Sequence, residues 1–160
     1  MGLGLYVYLE PFVLLLSPMS ISGIHGQLLE VTVVACNKLK DTEWISRQDP
    51  YVCLEYASSK HRTRTCTDGG KNPTFQEKFV FTLIEGLREI SVVVWNSNTI
   101  TFDDFIGSGK IQLQKVLSQG YDDSSWPLQD KRGSTIKLYL SFKLIMLNVV
   151  IFLDRFPFRK

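Results

Sequence analysis

The sequence predicts an all-β protein built as an antiparallel β-sandwich, and two observations lead to this prediction. The first is a run in which Leu29, Val31 and Val33 alternate with Glu30 and Thr32. A period of two sends one set of side chains into a core and the other toward solvent, as in a half-buried strand. The second is that polar turn sequences separate this run from others like it, while no segment of ten or more residues has a helical period.

Seven strands are expected in order along the middle of the chain. Six are runs with this alternation and one is the basic segment KHRTRT; in chain order they cover residues 29–35, 52–56, 60–65, 75–81, 90–94, 111–113 and 136–142. The turn sequences between them include DTEWISRQDP at 41–50, DGGKNP at 68–73, SNTITFDD at 97–104 and DKRG at 130–133. Short strands with polar turns at this spacing are typical of a β-sandwich.

Length and composition exclude several classes of protein. A chain of 160 residues is enough for one domain with a sizeable core. Its net charge of +2 gives no reason to expect a nucleic-acid partner. The three cysteines, Cys36, Cys53 and Cys66, are odd in number and lack C-x-x-C spacing, so they are interpreted as reduced thiols in a cytoplasmic protein. The histidines, His25 and His61, lie in no nucleophile elbow, zinc-ligand spacing or phosphate loop, and the chain is not expected to be an enzyme.

The two ends of the chain differ from the middle, which is predicted to form the domain at 26–143. Residues 1–25 are an apolar extension in which the Glu-Pro pair at 10–11 interrupts both a signal peptide and a membrane span of about 20 residues. This extension is interpreted either as a membrane anchor or as a dispensable leader. The tail at 144–160 is apolar and then basic, and its apolar part is too short to span a bilayer but long enough for a strand.

Three segments resemble the C2 domain family, in the right order. LLEVTVVACNKLKDTEWISRQDPYVCLEY resembles its opening strand, its long first loop and the Asp-Pro-Tyr-Val that begins the next strand. GKNPTFQEKFVF resembles its Asn-Pro-x-aromatic-x-Glu turn and strand, and VVVWNSNTITFDDFIGSGKIQL resembles its third loop, which ends in Asp-Asp-x-Ile-Gly. The resemblance covers about residues 26–143 and is greatest to the small plant C2 proteins of the elicitor-responsive and phloem type.

The resemblance implies both a fold and a function. The family fold is an eight-stranded Greek-key β-sandwich, and its usual role is docking on phospholipid membranes, often through calcium held between loops at one end. Because seven strands are expected in the middle of the chain, an end should supply the eighth. The tail at 144–153 and residues 3–15 are both candidates, and the sequence leaves the choice open.

Calcium-binding members of the family hold the ion with aspartates of the first and third loops. Carried over position by position, the resemblance places the ligands at Glu43 and Asp49 in the first loop and at Asn96, Asn98 and Asp104 in the third. Calcium affinity depends on the charge of the ligands, and two amides remove two charges. The alternatives are one weakly held calcium ion or a metal-independent loop stabilised by Asn and Asp turn bonds. The second is favoured, so calcium dependence is expected to be weak or lost.

Apolar residues stand in the tips of two polar loops. Trp44 and Ile45 lie in the first loop, and Ile100 and Phe102 lie in the third. Apolar side chains in such positions suit insertion into the interface of a membrane, where Trp is also at home. The alternative is that they fold back and form a small satellite core.

The basic segment KHRTRT carries a third signal. On a strand, Lys60, Arg62 and Arg64 project to one face and His61 to the other. Three cations in a row attract anions, and the resemblance implies phosphoinositide headgroups as the ligand. The alternative is a solvated strand edge whose charges prevent pairing with another chain.

These observations predict a peripheral module that binds anionic phospholipid at the cytoplasmic face of the plasma membrane. A role in plant defence or trafficking signalling rests wholly on the resemblance. One alternative is a calcium-independent protein-interaction module of the same fold, whose protein partner the sequence does not identify. Another is a membrane protein anchored by residues 1–25.

Overall fold

A computed structural model describes residues 5–9, 12–16, 26–40 and 47–146 of the chain. The strands are β1 (Leu5–Leu9), β2 (Phe12–Leu16), β3 (Gln27–Asn37), β4 (Pro50–Tyr56), β5 (Ser59–Arg62), β6 (Thr74–Thr82), β7 (Glu89–Asn96), β8 (Asp104–Gln112), β9 (Tyr121–Gln129) and β10 (Thr135–Met146), and the helix is α1 (Gln114–Gln119). With six residues in α1, no helix in the described part of the chain is long and apolar enough to cross a membrane.

Eight antiparallel strands form the sandwich, in the order β5-β4-β7-β8-β9-β10-β3-β6. The register between β8 and β9 is the one pair Ser108–Gln129, so the order divides there into two layers of four strands. At the other side of the sandwich His61 of β5 stacks on Phe79 of β6, with ring centroids 5.2 Å apart, and this contact brings the two edge strands together. The architecture confirms the predicted all-β fold, and each of the seven expected strands overlaps an observed one.

The core lies between the two layers and follows the alternation of the sequence. The inward positions of β3 and β7 are fully buried, as are those of the middle of β4. The apolar residues of these three strands with no exposed surface are Leu29, Val31, Val33, Val52, Leu54, Ile90, Val92 and Val94. Since every second residue of a strand faces the same way, the remaining residues of β4 and β7 form an outer face, which becomes important for the site.

The prediction that an end of the chain supplies the eighth strand was wrong, because that strand is β9. Its inward positions begin with Asp122, which is buried, and Ser124 rather than with apolar residues. Lys115 of α1 reaches Asp122 with its Nζ at 2.6 Å, and this ion pair lets a carboxylate occupy a core position. A search for apolar alternation therefore passes over the strand.

The ends of the chain do not join the sandwich in the way that was expected. β1 and β2 pair with each other in a separate two-stranded sheet, with Leu5 opposite Leu16. β10 continues as far as Met146, three residues beyond the predicted domain boundary. The rest of the tail, 147–160, lies outside the described residues, and the role of residues 1–25 as anchor or leader stays a prediction.

Glycine at position 109 lets β8 approach β9 closely. A Cβ atom at Gly109 would lie 2.8 Å from Leu128 Cδ2 and 3.2 Å from the Pro127 carbonyl oxygen. We expect Gly109→Val to lower the free energy of unfolding by about 1–3 kcal/mol, since overpacking forces neighbours to shift. Urea denaturation measures this change. Ser108→Val, on the outer face one residue earlier, is the control and should be nearly neutral; equal stability of both variants would contradict the close approach.

Candidate functional site

Four connections meet at one end of the sandwich, which we call the loop end. They are the first loop (residues 38–49, of which the structure describes 38–40 and 47–49), the second loop (63–73), the third loop (97–103) and the fourth turn (130–134). Asp49 joins three of them, because its Oδ1 accepts from the Asp68 N–H at 2.7 Å and its carbonyl oxygen accepts from the Ser97 N–H at 2.9 Å. The fourth turn reaches the same place, where Lys40 Nζ lies 3.8 Å from an Asp130 carboxylate oxygen.

Of the two asparagines predicted as calcium ligands, Asn96 connects the third loop to the first, and Asn98 holds the third loop together. The Oδ1 of the buried Asn96 accepts from the Asp49 N–H at 2.7 Å, and its Nδ2 donates to Asn98 Oδ1 at 3.4 Å. The Nδ2 of Asn98 donates to the Phe102 carbonyl oxygen at 2.9 Å and to Asp104 Oδ2 at 3.0 Å. The two bonds from Asn98 require an amide, because a carboxylate has no hydrogen to donate.

The two described carboxylates of the predicted calcium site line different pockets. Asp49 opens on a pocket of about 270 Å³ together with Asn96 and the side chain of Arg47. Asp104 opens on a second pocket, of about 280 Å³, which Lys40 also lines. The lining of each pocket thus includes a cationic side chain as well as a carboxylate, and Asn98, which lines the pocket of Asp49, lies between that pocket and Asp104.

The described residues are a poor fit for calcium. Among them, no group of three or more His, Cys, Asp or Glu side chains is placed to hold a metal ion. Calcium takes six to eight oxygen ligands, yet Asn98 offers its NH₂ to Asp104, and Arg47 brings a positive charge to the pocket of Asp49. Glu43, the remaining predicted ligand, lies outside the described residues.

Asp103, which follows the tip of the third loop, fixes that loop to β4. The Tyr51 hydroxyl donates to Asp103 Oδ2 at 2.6 Å, and the Asn98 N–H donates to Asp103 Oδ1 at 2.9 Å. These hydrogen bonds, that from Tyr51 foremost, hold the pKa of Asp103 below its usual value. Burial and then Asp103 raise the pKa of Tyr51 to about 12, so the pair is a neutral phenol bound to a carboxylate.

Three aromatic side chains, which we call the aromatic row, lie side by side on the outer face next to the loop end. Tyr51 of β4 pairs in register with Trp95 of β7, and Trp95 pairs with Phe105 of β8, so the three share one face. Trp95 and Phe105 meet edge to face with centroids 5.7 Å apart. A cation lies at each end: the Arg62 guanidinium is 3.7 Å from the centroid of the Tyr51 ring, and Lys131 Nζ is 6.0 Å from that of Phe105.

Sequence reasoning missed the aromatic row. The available signal was that Trp95 falls between the buried positions Val94 and Asn96, and so points outward. An outward Trp beside a polar loop is unusual enough to notice. Its alignment with the two other rings depends on strand register and on the bulge between Val94 and Trp95, which the sequence does not reveal.

We call Lys60, Arg62 and Arg64 the basic patch, which follows β5 to its end at Arg62 and continues to Arg64 just beyond the strand. All three are exposed, whereas His61 turns inward to the rings of Phe79 and Phe81. β5 is the edge strand of its layer, so the patch faces solvent along one side of the sandwich, next to the Tyr51 end of the aromatic row.

The cations of the basic patch differ in their partners. Lys60 Nζ lies 3.2 Å from a Glu55 carboxylate oxygen, and Arg64 Nε lies 3.6 Å from Glu77 Oε1. Arg62 donates to the Thr65 hydroxyl at 3.2 Å and, among the described residues, forms no ion pair with a carboxylate. Among the described residues Arg62 therefore has no carboxylate within ion-pair distance, although its positive charge acts on the nearby Asp103, whose pKa it helps to lower.

The apolar tip of the third loop projects into solvent. Ile100 and Phe102 are each 96% exposed. They do not form the satellite core that was the alternative interpretation. Trp44 and Ile45, the apolar residues of the first loop, lie outside the described residues.

Comparison with known proteins gives the family. A family model described as C2 domain matches residues 27–128. The chain is 31% identical over 96 residues to 16 kDa phloem protein 2 of Arabidopsis thaliana, covering 60% of this chain and 65% of that protein. It is 28% identical over 116 residues to Elicitor-responsive protein 1 of Oryza sativa subsp. japonica, covering 68% and 73%. The chain thus spans just under two thirds of the phloem protein, and these relatives confirm the resemblance seen in the sequence.

Solved structures agree with the fold. A C2 domain-containing protein superposes with a TM-score of 0.64 at 25% sequence identity, covering 79% of this chain and 93% of the other. A calcium-bound pair of C2 domains from Extended-Synaptotagmin 2 gives a TM-score of 0.64 at 19% identity, covering 76% of this chain and 46% of that one. At that identity the second likeness concerns the fold alone.

Proposed function

Since this chain belongs to the C2 domain family, we propose that it is a peripheral module that docks on anionic phospholipid bilayers without requiring calcium. The observation that carries the proposal is the exposure of Ile100 and Phe102, two large apolar side chains held out in water at the tip of the third loop. Burying such a side chain contributes about 1.5–3 kcal/mol. A bilayer interface provides that burial.

The basic patch and the aromatic row would supply the electrostatic part of binding. Arg62 lies over the ring of Tyr51. Among the described residues it forms no ion pair, so its guanidinium can donate hydrogen bonds to a lipid phosphate. Lys60 and Glu55 form an exposed ion pair, and such pairs contribute about 0–1 kcal/mol, so a phosphate can replace Glu55 at little cost. Arg64 pairs with Glu77, whose side chain is 19% exposed, and the exposed guanidinium of Arg64 keeps donors free for a phosphate.

The connections within the loops support the proposed calcium independence. Asn98 uses its NH₂ to bind Asp104 and the Phe102 carbonyl oxygen, and these bonds order the third loop with no metal bridging it. The loop is then in place for insertion before any ion arrives. We further propose the cytoplasmic face of the plasma membrane as the location and defence or trafficking signalling as the context, supported by the phloem and elicitor-responsive relatives.

Flotation with vesicles tests the proposal. We expect the full chain to bind vesicles that contain phosphatidylserine and phosphoinositide in the presence of a calcium chelator, and to bind pure phosphatidylcholine much less. Binding to neither kind of vesicle would overturn the membrane role and favour the protein-interaction alternative. Binding that appears only when calcium is added would overturn the calcium independence.

The variant Ile100→Ser with Phe102→Ser should lose most of the binding. If each of the two apolar side chains contributes about 1.5 kcal/mol to the free energy of binding by entering the bilayer, their loss lowers the affinity roughly a hundredfold. The matched control is Val80→Ser with Ile84→Ser, which removes two half-exposed apolar side chains away from the loop end. Equal affinity of the loop variant and the control would show that the exposed tip does not enter the bilayer.

A further inference from the structure

A second cationic surface lies at the loop end, on the far side of the aromatic row from the basic patch. It is the open pocket of about 280 Å³, and it lies between the first loop, the start of β8 and the fourth turn. Its lining consists of Lys40, Asp104, Phe105, Ile106, Asp130, Lys131 and Arg132. Lys131 stands near the Phe105 ring, whereas the basic patch stands near Tyr51 at the other end of the row.

The fourth turn is a rigid support for its two exposed cations. Asp130 Oδ1 accepts from the N–H groups of Arg132 and Ser134, both at 2.8 Å, and the Gly133 N–H donates to the Asp130 carbonyl oxygen at 3.0 Å. The Asp130 side chain is 5% exposed, and its backbone hydrogen bonds, that from Ser134 foremost, lower its pKa. The negative charge of Asp130 is thus directed at the backbone of the turn.

The lining of the pocket carries more positive than negative charge. Asp130, which lies 3.8 Å from Lys40, and Asp104 are the two carboxylates of the lining, against the three cations Lys40, Lys131 and Arg132. Within the described part of the chain, Lys131 and Arg132 form no ion pair. Two cations therefore face the pocket beside an aromatic ring, an arrangement that suits an oxyanion such as phosphate.

We infer that Lys131 and Arg132, with Lys40 across the pocket, bind the phosphate of an anionic lipid headgroup. This inference rests on the proposed function, because the fourth turn lies at the same end of the sandwich as the exposed tip formed by Ile100 and Phe102. A bilayer entered by that tip places its headgroup phosphates at the level of the pocket. The loop end then contacts the membrane on both sides of the aromatic row.

The test compares two variants of the full chain that lose the same charge. Lys131→Ala with Arg132→Ala removes the cations of the fourth turn and leaves intact the backbone N–H on which Asp130 depends. Lys137→Ala with Lys143→Ala removes two exposed cations from β10. On vesicles that contain phosphatidylserine, we expect the first variant to lose about thirtyfold in affinity and the second to lose little. Each cation near an acidic surface contributes roughly a factor of five to the affinity.

The outcomes separate this inference from the proposed function. If the wild-type chain binds the vesicles and both variants lose affinity equally, the pocket at the fourth turn is not a phosphate site. If the wild-type chain does not bind vesicles at all, the proposed function fails. An NMR titration with soluble inositol trisphosphate then decides the pocket alone: shifts at the amides of Lys131, Arg132 and Gly133 support a site for a free phosphate, and unchanged amides overturn it.

Discussion

Replacing Lys60, Arg62 and Arg64 together with Ala is expected to weaken binding to anionic vesicles by roughly a hundredfold. Each cation close to an acidic leaflet contributes about 1 kcal/mol, and three add to about two orders of magnitude in affinity. Flotation or surface plasmon resonance on supported bilayers measures the change. Raising the salt concentration should weaken binding of the wild-type chain in the same direction, because salt screens these interactions.

Within the triple variant, Arg62 should account for the largest single share. It forms no ion pair among the described residues, whereas Lys60 and Arg64 each have a carboxylate beside them. Arg62→Lys keeps the charge but loses the planar group that lies over Tyr51. We therefore expect Arg62→Lys to restore only part of the affinity lost in Arg62→Ala.

The matched control for the basic patch is a second triple variant on the other layer. Lys78, Lys137 and Lys143 are exposed and lie on β6 and β10, and their replacement with Ala removes the same three charges. A uniform electrostatic attraction predicts that the two triple variants weaken equally. That result would contradict a role for the basic patch in particular, and thermal melting of both variants checks that they remain folded.

The sequence predicts the sandwich well because burial in this protein follows alternation. In β3 every second residue from Leu29 to Val33 is fully buried, and a period of two is visible without any structure. β9 departs from that rule, since Asp122 occupies an inward position by pairing with Lys115 of α1. The two residues are seven positions apart, and their pairing depends on how α1 folds back on β9, which no period of the sequence indicates.

The site is less predictable, because it depends on which elements become neighbours. The outward direction of Lys60, Arg62 and Arg64 follows from alternation alone. The exposure of Ile100 and Phe102 cannot be predicted in this way. A loop has no periodic pattern, so its sequence does not reveal whether its apolar tip projects into water or folds back onto the domain. The assignment of Asn98 as a calcium ligand came from the resemblance to the C2 family, and only the structure reveals that its amide binds Asp104.

The variant Asn96→Asp with Asn98→Asp should become unstable without calcium and bind calcium much more tightly than the wild-type chain. Asp at position 98 would place a carboxylate against Asp104 and the Phe102 carbonyl oxygen, where Asn98 now donates at 3.0 and 2.9 Å. Both acceptors are exposed and can bind water instead, so each lost hydrogen bond costs about 0.5–1.5 kcal/mol, and repulsion between the neighbouring carboxylates adds to this cost. At position 96 the bond from the Asp49 N–H can persist, because a carboxylate oxygen accepts it equally well.

Calcium should restore the stability of the double variant, because it binds the folded loops and not the unfolded chain. At a concentration of a hundred times its dissociation constant, calcium adds about 2.7 kcal/mol to the free energy of unfolding. Magnesium should substitute poorly because it demands a tighter octahedral geometry. Titration calorimetry and thermal melting with and without calcium measure both effects, and Asn37→Asp with Asn72→Asp adds the same two charges outside the predicted ligand positions. Strong calcium binding by the wild-type chain would mean that Glu43 and the amides suffice as ligands. A double variant that gains no affinity would mean that Asp49 and Asp104 cannot be drawn around one ion even when both amides become carboxylates.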